Sequence, residues 1–322
     1  MPDLKSSIKN YLDFNKRIEI KNIIKNEVIK SDFIIARLPS SNGNLAVKFA
    51  KKYNKPYLIE VVGCSWDSLW NYSVRGKLIA LPSYLSMKRS VKDAPYVIYV
   101  TNKFLQHRYP TNGKHTNCSN VTLTDFSDNI LQVRLEKISK IDEQEKIVIG
   151  TIGAVNVRYK GQGYVIKALA ELKRLGIKNY EYQLVGGGNQ AYLMFIARKY
   201  GVSDQVKYLG SMPHNEVLRW LENIDVYIQP SKTEGLPRAL IEAMSKACPS
   251  IGSNVGGIPE LLDESMIFDI NKTNKLISLL ENINKEKLKI EANRNFREAM
   301  KYDKKVIETR RNRFLRDSIN EK

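Results

Sequence analysis

The run SKTEGLPRALIEAMSKACPSIGSNVGGIPELLD, residues 231–263, reads as a loop, a short apolar helix, a strand and a glycine pair. One acid, Glu234, stands just before the helix, and a second, Glu242, lies about two turns further on. Pro237 suits the first helical position, where its missing N–H would be an orphan anyway. Leu236 before it cannot cap with its side chain, so the N–H groups of Arg238 and Ala239 need another partner. A bound phosphate or sugar oxygen would serve, and Gly235 would let it approach the backbone. The plainer alternative is a helix end satisfied by water, with Glu234 favouring the helix dipole. Eight residues between the acids correspond to about 12 Å along a helix. A two-carboxylate glycosidase needs roughly 5–9.5 Å, so the pair suits gripping two parts of one elongated ligand instead.

Outward from this run, strand-like and helix-like segments alternate. DFIIARL (32–38) precedes the helical NLAVKFAKKYN (44–54), and YLIEVVG (57–63) and YVIYVT (96–101) are further β-branched runs. After a helical joint near residues 128–145 the pattern restarts. KIVIGTIG (146–153) leads to a helix over 162–175, YEYQLVGGG (180–188) to AYLMFIARKYG (191–201), VKYLGSM to NEVLRWLENI, and DVYIQPS to the opening helix. Such alternation predicts an α/β protein with two doubly wound, Rossmann-like domains and parallel sheets. Ligands in such sheets bind beyond the carboxyl ends of the strands.

Two more loops fall at those ends. IGTIGAVNVRYKGQG places Gly153 at the end of a strand and Arg158 and Lys160 in the loop that follows. Cations there can offset the charge of a departing diphosphate, or can be ordinary surface charges. LVGGGNQ (184–190) is a glycine-rich turn without the GxGxxG spacing, and there is no Walker lysine–serine pair.

The composition narrows the class. With 52 basic and 34 acidic residues the net charge is +18, and it is spread: 23 against 14 in residues 1–145, 29 against 20 in residues 146–322. This spread argues against a basic tail. A lysine-rich solvated surface, phosphate-bearing ligands and an anionic membrane all fit. Cys64, Cys118 and Cys248 show no metal spacing and suggest a reducing compartment. The segment LIALPSYLSM (78–87) is too short to span a bilayer. A cytoplasmic protein, peripheral at the inner face of the cell membrane, is expected.

Glu234–Gly235–x6–Glu242–Ala243–Met244 followed by VGGIPELL resembles the signature of glycosyltransferase family 4, the retaining GT-B enzymes. The preceding order of KG, LVGGG, VKYLGSM and DVYIQPS is similar to that family too, so the match is dense over residues 146–270. The N-terminal half resembles it more loosely, through SDFIIARLPS, EVVGCSWDSLW and YVIYVTNKFLQHRYP. The resemblance implies a GT-B fold with the two sheets facing across a cleft. It implies that Glu242 binds ribose hydroxyls, that Glu234 binds the transferred sugar, and that Lys160 binds the diphosphate. Gly235, Leu236 and Pro237 would lie near sugar and phosphate, Leu209, Gly210 and Met212 near the base, and Gly153, Gly186 and Gly188 in the donor-binding loops. No cofactor and no metal are implied; the nucleotide-diphospho-sugar is a substrate.

Two departures stand out. Where the family has a diphosphate-binding arginine just after the glycine matching Gly153, this chain has Ala154; Arg158 is the expected substitute. The N-terminal domain is expected to be abbreviated, with about four strands where six or seven are usual, and residues 1–30 to be loosely packed. On the acceptor side His107 and His115 lie away from the family's histidine position, and His214 is in the other domain. Asp67 is expected either to contact acceptor or donor hydroxyls or to cap the segment after Trp66. The expected layout is an N-terminal domain over 1–140, a nucleotide-sugar domain over 141–301, and a terminal helix over 302–322 packing back on the first domain. Phe296, Val306, Ile307, Phe314, Leu315 and Ile319 would supply packing faces near that end. The expected activity is sugar transfer to a saccharide or lipid-linked saccharide in surface polysaccharide assembly. A nucleotide-sugar epimerase and a non-enzymatic polyanion binder are the alternatives.

Overall fold

The structure, a computed structural model, describes residues 14–320 apart from 122, 125, 143–145 and 178. Two parallel sheets carry the chain. β1 (Ile34–Leu38), β2 (Tyr57–Val61), β3 (Tyr96–Tyr99) and β4 (Lys114–Asn117) pair in sequence order. β5 (Ile147–Ile152), β6 (Tyr180–Val185), β7 (Val206–Gly210), β8 (Val226–Gln229), β9 (Ser250–Ser253) and β10 (Ile267–Phe268) form the second, in the order β10-β9-β8-β5-β6-β7. The strand order of this sheet reverses between β5 and β8, which opens a crevice at their carboxyl ends. Helices cover the sheets, so inner strands are buried on both faces: every residue of β2, β8 and β9 is buried, the polar Glu60, Gln229, Ser250 and Ser253 included. β1, at an edge, alternates buried and exposed.

β4 has no apolar pattern and was not foreseen. Its four polar residues become a strand because β3 offers a free edge, with Lys114 N donating to Pro95 O and Cys118 N to Tyr99 O at 2.9 and 2.7 Å.

The expectation that residues 1–30 are loosely packed is corrected for the part described. Phe14–Lys30 is a helix whose Ile20, Ile24 and Val28 are buried in the core. Their four-residue spacing puts them on one face, which the surrounding lysines obscure in a composition count. Residues 1–13 lie outside the described residues.

Helix Asp128–Lys140 joins the sheets and packs on helix Lys285–Met300. Its buried Arg134 donates to three carbonyls, Leu221, Ile224 and Lys246, at 2.6–3.3 Å. These lie at the carboxyl ends of two helices, where backbone acceptors lack intrahelical partners. By packing this helix goes with the second sheet, although a boundary near residue 140 would place it with the first. Helix Lys304–Asn320 returns to the first sheet. Ile307 packs with Leu58, Ile98 and Cys118, and Phe314 lies edge-on to Tyr96. Buried Glu60 there takes both Arg311 and Arg37. Phe296 and Ile307 are core residues, whereas Val306 and Ile319 are exposed, contrary to expectation: at about 100° per residue they flank the Ile307 contact on either side. The two halves are tied together as well. One apolar cluster includes Val61 and Tyr99 with Leu236 and Ile258, and the Glu260 carboxylate accepts the N–H groups of Asn102, Lys103 and Phe104 at 2.6–3.1 Å.

Candidate active site

A cavity of about 770 Å³ opens between the sheets at the switch point. Val62, Asn120 and Val121 line it from the first half. Gly153, Lys160, Met212, His214, Gln229, Glu234 and the start of helix Arg238–Ser245 line it from the second.

Lys160 reaches it from a short 3₁₀ turn, Arg158–Lys160, after β5. Gly161 ends that turn at φ +75°, and a Cβ there would lie 1.7 Å from Pro230 O. Only glycine permits this approach. It lets Lys232 N bond Tyr159 O at 2.7 Å, zipping the lysine loop to the loop after β8. Lys160 Nζ consequently meets Glu234 Oε1 at 2.7 Å. The same oxygen accepts Ser231 Oγ at 2.7 Å and Gln229 Nε2 at 3.1 Å. Tyr227 O–H in turn donates to Gln229 Oε1, which orients the amide. None of the described residues donates to Glu234 Oε2, the oxygen left for a ligand.

Glu242 differs. It lines the same cavity, half-buried, with no hydrogen bond to its carboxylate from the described residues. Burial raises its pKa above the ordinary carboxyl range, and His214 and Arg238 offset this only in part. An unpaired, half-buried acceptor of this kind has unused capacity for hydroxyl donors.

The helix carrying Glu242 starts at Arg238, and Pro237 occupies the N-cap with extended backbone rather than the first helical position. No side chain caps it. The first N–H to close a turn is that of Ile241, onto Pro237 O at 3.3 Å. The amides of Arg238 and Ala239 precede that first turn, and both residues line the cavity.

Several glycines around the site act through close contact. A Cβ on Gly256 would lie 2.1 Å from Glu234 O, and one on Gly257 2.6 Å from Gly235 O, to which Gly257 N donates. The glycine pair therefore supports the backbone of the Glu234 loop. Gly235 itself approaches Val62 O across the cleft, where a Cβ would lie at 2.2 Å. Gly186 and Gly188 press on Gly153 and Asn156. These two, with Gly235, are not among the lining residues.

Gly153, Lys160, Met212, Glu234, Leu236, Pro237 and Glu242 are thus brought together. Leu209 and Gly210, at the end of β7, do not line the cavity. Arg158 is turned away, its guanidinium 4.4 Å from the centre of the Tyr192 ring. In a turn of three residues, Arg158 and Lys160 leave on different sides. Asp67 pairs with Arg108 at 3.1 Å and sits in the first turn of helix Ser65–Tyr72, outside the lining. His107 and His115 are also outside it, whereas His214, set aside in the sequence as belonging to the other domain, is inside. Gln229 and Ser231 were not foreseen, although polar residues closing an apolar strand, as in DVYIQPS, are such a signal. Asn120 had none. Among the described residues no group of three or more His, Cys, Asp or Glu could hold a metal ion. No helix there is long and apolar enough to cross a membrane.

Residues 133–305 match the family model described as glycosyl transferases group 1. Protein CapJ of Staphylococcus aureus is 39% identical over 77% of this chain and 62% of its own length. The amylovoran biosynthesis glycosyltransferase AmsK of Erwinia amylovora is 36% identical over 33% of this chain and 28% of its own. The chain thus spans less than two thirds of these relatives. Among solved structures, a sucrose-phosphate synthase of Thermosynechococcus elongatus superposes with a TM-score of 0.76 at 16% identity, covering 96% of this chain and 79% of that one. HepE of Anabaena, in complex with UDP-glucose, superposes at 0.69 and 17% identity, covering 92% and 82%. At these identities the likeness establishes the fold, GT-B.

Proposed function

The chain belongs to the group 1 glycosyl transferases, and from that premise we propose that it moves a sugar from a nucleotide-diphospho-sugar to a saccharide or lipid-linked saccharide acceptor in surface polysaccharide biosynthesis. The observation that carries this reading is the convergence of Lys160, Glu234, Glu242 and an uncapped helix start on one cavity between two sheets. Glu242 accepts the ribose hydroxyls. The Lys160 ammonium and the amides of Arg238 and Ala239 meet the diphosphate and stabilise the charge that builds up as it leaves. Glu234, already oriented by Ser231 and Gln229, receives hydroxyls of the transferred sugar on its remaining oxygen. The acceptor enters past Val62, Asn120 and Val121 and attacks from the face the diphosphate leaves, so configuration is retained. Transfer proceeds without a metal, and the protein works in the cytoplasm against an anionic membrane surface. The relatives named for polysaccharide biosynthesis and the basic surface support this setting.

The test is an incubation with a panel of nucleotide-diphospho-sugars, with and without lipid-linked saccharides, in the presence and absence of a chelator. Nucleoside diphosphate released only with acceptor, and insensitive to the chelator, is expected. A sugar altered without any acceptor would mark an epimerase instead. No release in any combination from folded protein would sink the proposal.

A further inference from the structure

Helix Val74–Lys92 has two faces, both apolar. Gly76, Ala80, Met87 and Val91 are buried against the body of the first half. On the opposite side Val74, Leu78, Leu81 and Leu85 form a stripe at steps of four, three and four, and all are exposed. Val74 and Leu78 are each 80% exposed, and Tyr72, at the end of the preceding helix, is 72% exposed. Isolated exposed leucines are ordinary; a continuous apolar stripe on the outer face of a surface helix marks an interaction site.

We infer that this stripe is the surface by which the protein docks on an anionic lipid bilayer, a proposal that rests on the membrane setting given above and assigns it to a place. The first reason is charge. Residues 68–92 contain no acid, while Arg75, Lys77, Lys88, Arg89 and Lys92 are cationic. Arg89 and Lys92 continue the stripe by further steps of four and three. An apolar face edged by cations with no anion among them is the pattern of a helix lying in a lipid headgroup layer. A second copy of the chain is the poorer occupant, because each copy carries +18 and would bring the same cations against its own. The second reason is continuity with the site. The partner helix of this hairpin, Ser65–Tyr72, packs on the Arg158–Lys160 turn, and Asn71 Nδ2 donates to Lys232 O at 3.4 Å. Docking by the stripe therefore brings the bilayer to the mouth of the donor cavity, where a lipid-linked acceptor would be presented.

The whole chain is tested for co-sedimentation with phosphatidylcholine vesicles, with and without phosphatidylglycerol. Binding to the anionic vesicles only is expected. Leu78→Glu/Leu81→Glu should weaken it by at least about tenfold. Ile290→Glu/Met300→Glu, which makes the same charge change at exposed apolar positions of the second half, should leave it within about twofold. Nucleoside diphosphate affinity, measured in parallel, should be the same in all three proteins. If the glutamate pair does not fold, Leu78→Ala/Leu81→Ala decides, with an expected loss of about fivefold. No binding by the unaltered chain would overturn the membrane setting and this surface together. Anionic binding that survives the stripe substitutions, or that falls equally in the matched pair, would overturn the surface and leave the membrane setting standing.

Discussion

The loop after β8 and the helix that follows it each contribute one glutamate to the same cavity, yet they are built in opposite ways. In the loop, Glu234 Oε1 is held by Lys160, Ser231 and Gln229, and the backbone behind it rests on Gly256 and Gly257. On the helix, Glu242 is half-buried with its carboxylate unbonded by any described residue and its pKa raised by burial. The loop is organised before any ligand arrives, and its free energy is already spent on holding one geometry. The helix position is left unsatisfied, so a ligand hydroxyl gains what the protein does not supply. A site that grips two parts of one ligand can thus combine a rigid contact near the reacting bond with an unsatisfied one at the handle.

The largest effect should come from breaking the loop. Among the described residues Lys160 is the one cation paired with Glu234, and Lys160→Ala removes it together with the charge proposed to face the diphosphate. Its kcat is expected to fall at least about 100-fold, while Glu234 keeps Ser231 and Gln229 and the melting temperature stays nearly level. A rise in KM alone, with kcat unchanged, would show that the lysine serves binding and not the departing charge.

Glu242→Gln probes the other side of the comparison. Charge-assisted bonds to the ribose are weakened, and nucleoside diphosphate affinity should drop about tenfold by calorimetry. Stability should move the other way. A carboxyl raised by burial contributes fully below its unfolded pKa and loses that contribution as pH rises through the folded value. The neutral glutamine escapes this loss, so the variant should be at least as stable as the parent at neutral pH, with the gap closing toward about pH 4. A destabilised variant at neutral pH would mean that Glu242 is bonded within the protein after all.

The smallest effect is expected at Arg158. Stacked on Tyr192, it stands outside the cavity that Lys160 enters two residues later, so Arg158→Ala should change kcat/KM by no more than about twofold. A loss matching that of Lys160→Ala would show that the turn rearranges when the donor binds.

The alternation of apolar strands and helices was enough to read two parallel doubly wound halves, because the covered strands of such sheets are mostly apolar and their crossovers are helical. The run from Glu234 to Leu262 likewise carried its glycines and acids in plain view. Local pattern did not carry what depends on a distant partner. β4 is a strand only because β3 leaves an edge, and Ile20, Ile24 and Val28 are core only because a neighbouring helix faces them. His214 and Glu242 meet only because two separate loop–helix junctions line one cavity, and Asp67 is paired outside it with Arg108. The orientation of a side chain in a short turn is decided by what packs on it. Arg158 and Lys160 are the same kind of residue in the sequence, and the approach of Pro230 to Gly161 alone sends one of them to the carboxylate. The sequence determined which chemistry was present and at which strand ends; tertiary packing decided which members of it meet, since a contact between residues 74 positions apart exists only once both loops are held by the sheet beneath them.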